Sequence, residues 1–153
     1  MDGDIEYIPD EGKVSREVFH PQMTRDEARA VYYNLFEFSG GEADSVIWRY
    51  YCIADEDVHN LGLSHEAKKQ ERNPNVRYLG FGTAGVGQIR SISARNKDGH
   101  GFNVRHEPNE GIQHAEVCFQ LSEGVPYGAL TRGQKLELKF TLGRLFEPIT
   151  PRT

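Results

Sequence analysis

The chain has little cysteine, no long apolar run and a deficit of positive charge. It carries two cysteines in 153 residues and no Cys-x-x-Cys pair, which excludes a thiol redox motif and a cysteine-rich zinc site. No apolar stretch approaches the roughly 18 residues of a transmembrane helix. The acidic start MDGDIEYIPDEGK lacks the apolar core of a signal peptide. We therefore expect a cytoplasmic protein that does not enter a membrane.

The charge balance bears on the choice of partner. The formal net charge is -5, and because binding to nucleic acid requires a clustered positive field, a nucleic-acid partner is not expected. Lys68, Lys69, Arg72 and Arg77 are close in sequence, and we interpret them as a solvated helix face and loop. Hydrophobic residues make up 37% of the chain, which is enough for a packed interior.

The chain length predicts a single globular domain, residues 16–153, preceded by a flexible acidic arm over residues 1–15. The stretch TRDEARAVYYNLFEF opens with a capping box, Thr24 and Glu27, and continues with apolar residues at helical spacing. Gly40 and Gly41 end it, as expected beyond a helix C-terminus. We therefore predict a principal helix over about residues 24–37.

Strand-like patterns dominate the remainder of the chain. Residues 44–54 are rich in β-branched and aromatic side chains and predict a buried strand. Two short helical segments, the second capped by Ser64, are expected before a short strand at 76–79. The pattern of residues 83–95 fits both a helix and a strand. Polar and apolar residues alternate over 101–108, 113–121 and 135–142, which predicts three further strands. The predicted fold class is α+β, a mainly antiparallel sheet with the principal helix packed on one face.

Burial fixes a register for the hairpin around PNEG. If Val104 lies opposite Val117, Phe102 meets Phe119, and His106 meets Ala115. The same register sets Arg105 opposite Glu116 and Glu107 opposite His114 on the other face. A slip of one residue would bury a carboxylate, so the pattern itself selects this pairing.

The end of this hairpin carries the candidate catalytic residues His106, His114 and Glu116. One interpretation is a charged hairpin end held by cross-strand pairs. A second is a metal-free acid–base pair of histidine and glutamate. A third is a zinc site that includes Glu107, since histidine and carboxylate sets bind zinc. We expect no metal and no cofactor, and zinc is the alternative.

The segment VRYLGFGTAGVGQIRSI contains Gly-x-Gly-x-x-Gly at Gly80, Gly82 and Gly85. A dinucleotide fingerprint would place an acidic residue about 20 positions later, and Glu107 meets that spacing. The preceding chain, however, does not alternate strand and helix, and the following strands are half polar, unlike buried parallel strands. We interpret the glycines as allowing a tight turn and close packing, with anion binding by Gly82 and Gly85 as the alternative.

Arg49 interrupts an otherwise apolar strand, VIWRYYC. The favoured interpretation is an outward-facing arginine that stacks on an aromatic ring. The functional alternative is a third anion-binding residue, aimed at a bound phosphate or carboxylate.

The order WRYYCI, DVHNLGLS, GTAGVGQIRSI, HEP and HAEV resembles a group of small bacterial proteins of unassigned function. The resemblance covers about residues 45–118. It departs from the group in the hairpin, where Ile112 and Gln113 replace an Asn-Pro. The resemblance implies a compact bacterial, cytosolic domain and supplies no mechanism.

Two functions follow as alternatives. The first is an interaction or accessory module of a larger assembly with a protein partner, because no complete catalytic set is present. The second is a small hydrolase or lyase that uses the hairpin histidines and glutamates on a phosphorylated or nucleotide-like substrate. The sequence leaves open whether the chain is an enzyme. Convergence of His106, His114 and Arg49 in one pocket would favour the second.

Overall fold

A single antiparallel sheet organises the chain. The computed structural model describes residues 4–21, 23, 35–39 and 41–153. Within them, six strands pair in the order β4-β5-β2-β1-β3-β6. Their bounds are β1 Lys13–His20, β2 Ala43–Trp48, β3 Arg77–Gly85, β4 Gly101–His106, β5 His114–Gln120 and β6 Thr150–Pro151. The described α-helices are α1 Asp55–Gln70, α2 Val86–Arg90, α3 Ile92–Arg95 and α4 Arg132–Arg144, and short 3-10 helices span Pro108–Glu110 and Tyr127–Ala129. The α+β class and the antiparallel sheet are confirmed.

The expected principal helix falls mostly on residues 24–34, which lie outside the described residues. The described residues 35–37 are not helical. Among the described helices the longest is α1, with 16 residues. It runs without a break through both of the short helical segments expected from the sequence, so Ser64 lies inside a helix and caps nothing.

The main core lies on one face of the sheet. Alternate strand residues such as Val46, Val104 and Val117 point to this face and are almost fully buried. They pack in one cluster with apolar residues from later in the chain, including Ile89 of α2, Leu138 of α4 and Phe146, which follows α4. The opposite face is partly covered by α1, where Val58, Ile47, Cys52 and Phe81 form a second, smaller cluster.

The hairpin has the predicted register. Phe102 pairs with Phe119, Val104 with Val117, Arg105 with Glu116 and His106 with Ala115. The register follows from alternation, because each inward position of both strands is apolar while Arg105 and Glu116 face outward. The strand predicted for residues 44–54 is shorter than expected. It ends at Trp48, where a turn begins with bonds from Tyr51 N to Trp48 O (3.1 Å) and from Cys52 N to Arg49 O (3.2 Å).

The strand predicted at 135–142 is wrong, because this segment lies in α4. Thr131 accepts a hydrogen bond from Gln134 N, and the Gln134 side chain bonds back to Thr131 N, which completes a capping box. Leu138 and Leu142, four residues apart, are buried on one side of the helix, whereas Phe140 is exposed. Apolar residues at every second position also satisfy the i, i+4 spacing of a helix, so alternation alone does not identify a strand. The capping box at Thr131 favours the helix.

The expected free arm is paired with the sheet over its described part. Ile8 N donates to Val104 O at 3.0 Å, and His106 N donates to Glu6 O at 2.8 Å. Ile8 is fully buried. Residues 6–8 therefore cover the outer edge of β4, and residues 13–15 already belong to β1.

Candidate functional site

The glycine segment is part of a strand. Gly80 and Gly82 lie inside β3, and a Cβ at Gly82 would overlap the backbone of Phe146. The expectation of close packing at these glycines agrees with this placement. Gly85 ends β3 and precedes α2, a helix of 5 residues.

The N–H groups at the start of α2 are already paired. Val86 N donates to Gly12 O and Gly87 N donates to Asp10 O, each at 2.9 Å. Gly85 N donates to the Gln88 side chain at 3.3 Å. A phosphate at Gly82 and Gly85 would have to displace these bonds, so the geometry of a phosphate loop is not present here.

Arg49 lies in the turn after β2, where its guanidinium contacts several acceptors. It donates to Cys52 O at 2.7 Å, to Ile53 O at 2.9 Å and to Asp55 at 2.9 Å. Its guanidinium carbon lies 5.2 Å from the centre of the Phe81 ring. The guanidinium therefore fixes the turn and stacks on an aromatic ring. The stacking agrees with the structural interpretation of Arg49, but the side chain is only 14% exposed and does not face outward from a strand.

His106 and His114 point to opposite faces of the sheet. His106 shares the core face with Ala115, its cross-strand partner, and its nitrogens bond to Glu6 Oε1 and Ile112 O, both at 2.7 Å. Because His114 precedes Ala115, its side chain projects from the other face. The candidate catalytic set is thus divided between two surfaces.

Glu116 is held by its cross-strand partner. Its carboxylate accepts hydrogen bonds from Arg105 Nε at 3.2 Å and from an Arg105 terminal nitrogen at 2.9 Å. The hydrogen bond to this carboxylate raises the pKa of Arg105. Glu116 therefore acts as the ion-pair partner of Arg105 across the hairpin. Among the described residues, no group of three or more metal-ligating side chains is arranged to hold a metal ion.

His114 lines a groove of about 830 Å³, formed between α1, β1, β2 and the β4–β5 hairpin. Its Nδ1 lies 2.8 Å from Glu107 O, and its Nε2 lies 3.0 Å from Ser45 Oγ. The Glu110 carboxylate is 3.3 Å from the same Nε2. Of the three residues whose convergence would favour an enzyme, only His114 lies in this groove.

The groove exists because β1 and β2 diverge. They pair at Val14 with Trp48 and at Ser15 with Ile47, and beyond this point the Arg16 side chain occupies the gap. Arg16 donates to Ser45 O at 2.7 Å and to Leu35 O at 3.0 Å. A side chain thus replaces main-chain bonds and holds the two strands apart.

A second histidine lies on the α1 wall of the groove. His65 Nδ1 is 2.7 Å from Glu17 Oε2, and this hydrogen bond raises the pKa of His65 against the opposing effect of burial. Sequence reasoning did not select His65 as a site residue, since 48 positions separate it from Glu17. Helical spacing offered one signal, because Leu61, His65, Lys68 and Arg72 fall on one side of α1 and all line the groove.

An aromatic cluster, defined here as Trp48, Tyr50, Tyr51 and His106, lies at the surface where β2 ends. Neighbouring ring centres within it are 4.9–5.7 Å apart. Tyr50 is 69% and Tyr51 40% exposed, and the adjacent Ile53 is 82% exposed. The sequence did not indicate this cluster, because the strand predicted for residues 44–54 places Trp48, Tyr50 and Tyr51 inside the sheet.

Comparisons of the chain with protein-family models, with curated proteins and with solved structures find no match. The resemblance to small bacterial proteins therefore stays a prediction. Within the described part of the chain, no helix is long and apolar enough to cross a membrane.

Proposed function

We propose that the chain is a protein-binding accessory module and that the aromatic cluster, together with Ile53, is its contact surface. The observation that carries the proposal is the exposure of Tyr50, Tyr51 and Ile53 next to the buried ring of Trp48. Tyrosine and tryptophan supply most of the binding energy at protein interfaces. Contiguous exposed apolar surface on a small domain is typical of an interaction site.

The cluster is stiff, which favours a contact role. Trp48 and Tyr51 meet edge to face, with ring centres 5.2 Å apart. His106 stacks on Tyr51 and is held by two hydrogen bonds. Because the rings are braced by one another, little side-chain entropy would be lost when a partner covers them.

Exposed carboxylates flank the cluster and indicate the charge of the partner. The side chain of Glu6 is 61% exposed and bonds to His106, and that of Asp55 is 62% exposed and pairs with Arg49. A partner with a basic rim around an apolar centre fits this arrangement. The net charge of -5 also favours a basic partner protein over a nucleic acid or an acidic membrane surface.

The location belongs to the same proposal. Both cysteines are free thiols, which suits a reducing compartment, so we place the module in the cytoplasm as a component of a larger assembly.

Photocrosslinking tests the contact surface. A benzophenone amino acid placed at Tyr50 or Ile53 is expected to give one discrete crosslinked partner in cells. The same probe at Glu123, an exposed residue beyond the opposite end of β5, serves as the matched control. Equal crosslinking at the three positions would contradict the proposal.

The partner found by mass spectrometry is then purified and titrated. Tyr50→Ser and Tyr51→Ser together are expected to weaken binding by at least about tenfold, as the loss of hot-spot residues does. Binding should also weaken as salt is added, because the carboxylate rim contributes attraction. Unchanged affinity in the double variant would rule out the cluster as the interface.

A further inference from the structure

In the groove, the Ser45 hydroxyl, the His114 imidazole and the Glu107 carbonyl form a chain of hydrogen bonds. Ser45 Oγ is 3.0 Å from His114 Nε2, and His114 Nδ1 is 2.8 Å from Glu107 O. A carbonyl oxygen only accepts hydrogen bonds, so a neutral His114 carries its proton on Nδ1 and donates it to Glu107 O. The Nε2 lone pair is then directed at the Ser45 hydroxyl.

This is the arrangement of a nucleophile, its base and an orienting group. Ser45 is exposed and lines the groove, so its hydroxyl can be reached by a ligand. The His114 side chain is only 12% exposed, which limits competition by water for Nε2. We propose that Ser45 and His114 form a hydrolytic site for carboxylic esters that carry an additional anionic group.

The reaction needs water as its only co-reactant. Ser45 Oγ attacks the ester carbonyl carbon while His114 Nε2 takes the hydroxyl proton. The tetrahedral adduct then breaks its bond to the leaving alcohol, which receives that proton from Nε2. Water next adds to the acyl-serine, gives one proton to His114 and releases the carboxylic acid, and the proton returns to Ser45.

Glu110 supports the charged stage of this cycle. Its carboxylate is 3.3 Å from His114 Nε2, so it becomes an ion-pair partner once the imidazole gains its proton. The Glu110 side chain is 73% exposed, and solvent screens this attraction. We therefore assign Glu110 a positioning role.

The charges of the groove select the substrate class. Of its carboxylates, Glu17, Asp44 and Glu110 are each paired with a cation or a histidine, and Glu71 has no ion pair among the described residues. On the facing wall, Lys68 and Arg72 are exposed and have no ion pair among the described residues. With Lys69, this wall carries three cations and one carboxylate, Glu71, that have no ion pair among the described residues. This excess of positive charge matches a substrate whose acyl part ends in a carboxylate or phosphate.

An activity-based probe tests the nucleophile directly. The full chain is incubated with a fluorophosphonate, which phosphonylates activated serines, and the modified peptide is identified by mass spectrometry. We expect modification at Ser45, its complete loss in Ser45→Ala, and a rate at least tenfold lower in His114→Gln. Ser39→Ala, which changes another serine of the same groove, is the matched control and should label like the unmodified chain.

Three results would overturn the assignment. They are equal labelling of Ser45→Ala and the unmodified chain, labelling spread over several exposed serines, and an unchanged rate in His114→Gln. If His114→Gln lowers the thermal transition temperature, the exposed change Glu110→Gln is used as the test variant instead. Its labelling rate is expected to be severalfold lower than that of the unmodified chain. An unchanged rate in that variant would then count against the proposal.

A pair of chromogenic esters tests the substrate class. The nitrophenyl monoester of adipic acid carries a carboxylate too far from the ester to attack it readily, and nitrophenyl hexanoate has a similar chain without one. Hydrolysis of the anionic ester should be faster, and Lys68→Ala with Arg72→Ala should abolish the preference. Equal rates for the two esters, or a preference that survives in the double variant, would overturn the anionic assignment.

Discussion

Gly62 of α1 lies directly against the ring of Tyr78 on β3, and a Cβ at this position would overlap the ring atoms. Tyr78 is fully buried and its hydroxyl is 2.8 Å from His59 Nδ1, so the ring is fixed from two sides. The contact explains why α1 tolerates a glycine in its interior. It allows the helix to approach the sheet closely.

Gly62→Ala is therefore expected to destabilise the fold. In an unobstructed helix this change would gain about 1 kcal/mol, but overpacking against a fixed ring costs about 1–3 kcal/mol. Urea unfolding measures the difference. Gly133→Ala in α4 is the control, because its Cβ would meet no atom nearer than 3.9 Å, and it should not destabilise. Equal effects of the two changes would refute the packing argument.

The pair of Arg105 and Glu116 should contribute a small, measurable coupling. Their side chains are 32% and 22% exposed, so solvent screens the attraction only in part. A double-mutant cycle with alanine at each position is expected to give about 0.2–1 kcal/mol in unfolding free energy. A coupling indistinguishable from zero would mean that the register is held by the apolar face alone.

The pair of His65 and Glu17 predicts a pH effect of defined sign. The pKa of His65 lies above its ordinary value of 6.5, mainly through the hydrogen bond to Glu17. A raised pKa in the folded state adds stability that is fully present below the unfolded pKa and is lost as pH rises through the folded pKa. Nuclear magnetic resonance titration of the imidazole should show this raised value.

Glu17→Gln should lower the pKa of His65, because the charged acceptor is removed and Lys68 and Lys69 also act in that direction. Glu71→Gln, at another carboxylate of the groove, is the control and should leave the titration in place. If both variants titrate alike, the close contact with Glu17 does not determine the charge of His65.

Both thiols should be slow to alkylate. Burial raises the pKa of Cys52 and of Cys118, and the thiolate is the reactive form. Iodoacetamide at neutral pH is expected to modify neither residue in the folded chain over the time in which both react in urea. Mass spectrometry counts the adducts, and rapid modification of the folded chain at either cysteine would disagree with its burial.

The sequence predicts elements well where one signal dominates. The register of the hairpin follows from strict alternation between Phe102 and Glu107, and a slip would bury Glu116. The segment at Leu136–Leu142 fits both strand and helix spacing, so its helical state depends on the cap at Thr131 and on tertiary packing. The glycine motif lies in a strand, and this conformation depends on the close approach of Phe146, which no local pattern reveals.

The groove is less accessible to sequence reasoning than the fold. Ser45 and His114 are 69 positions apart, and they meet because β2 and β5 are neighbours in the sheet. The hairpin pattern indicates His114 as a candidate, whereas Ser45 and His65 carry no local sign of their partners. Strand order is the missing information, because it depends on long-range pairing.

Residues 6–8 cover the edge of β4, which would otherwise be an unpaired edge of the sheet. Without it, the carbonyl of Val104 and the amide of His106 would lose their partners, and Ile8 would leave an apolar gap beside them. A trimmed form lacking the first eight residues would offer a template on which other copies could add strands. Residues 6–8 thus prevent other copies of the chain from pairing with β4, and their removal should favour fibre growth at high concentration.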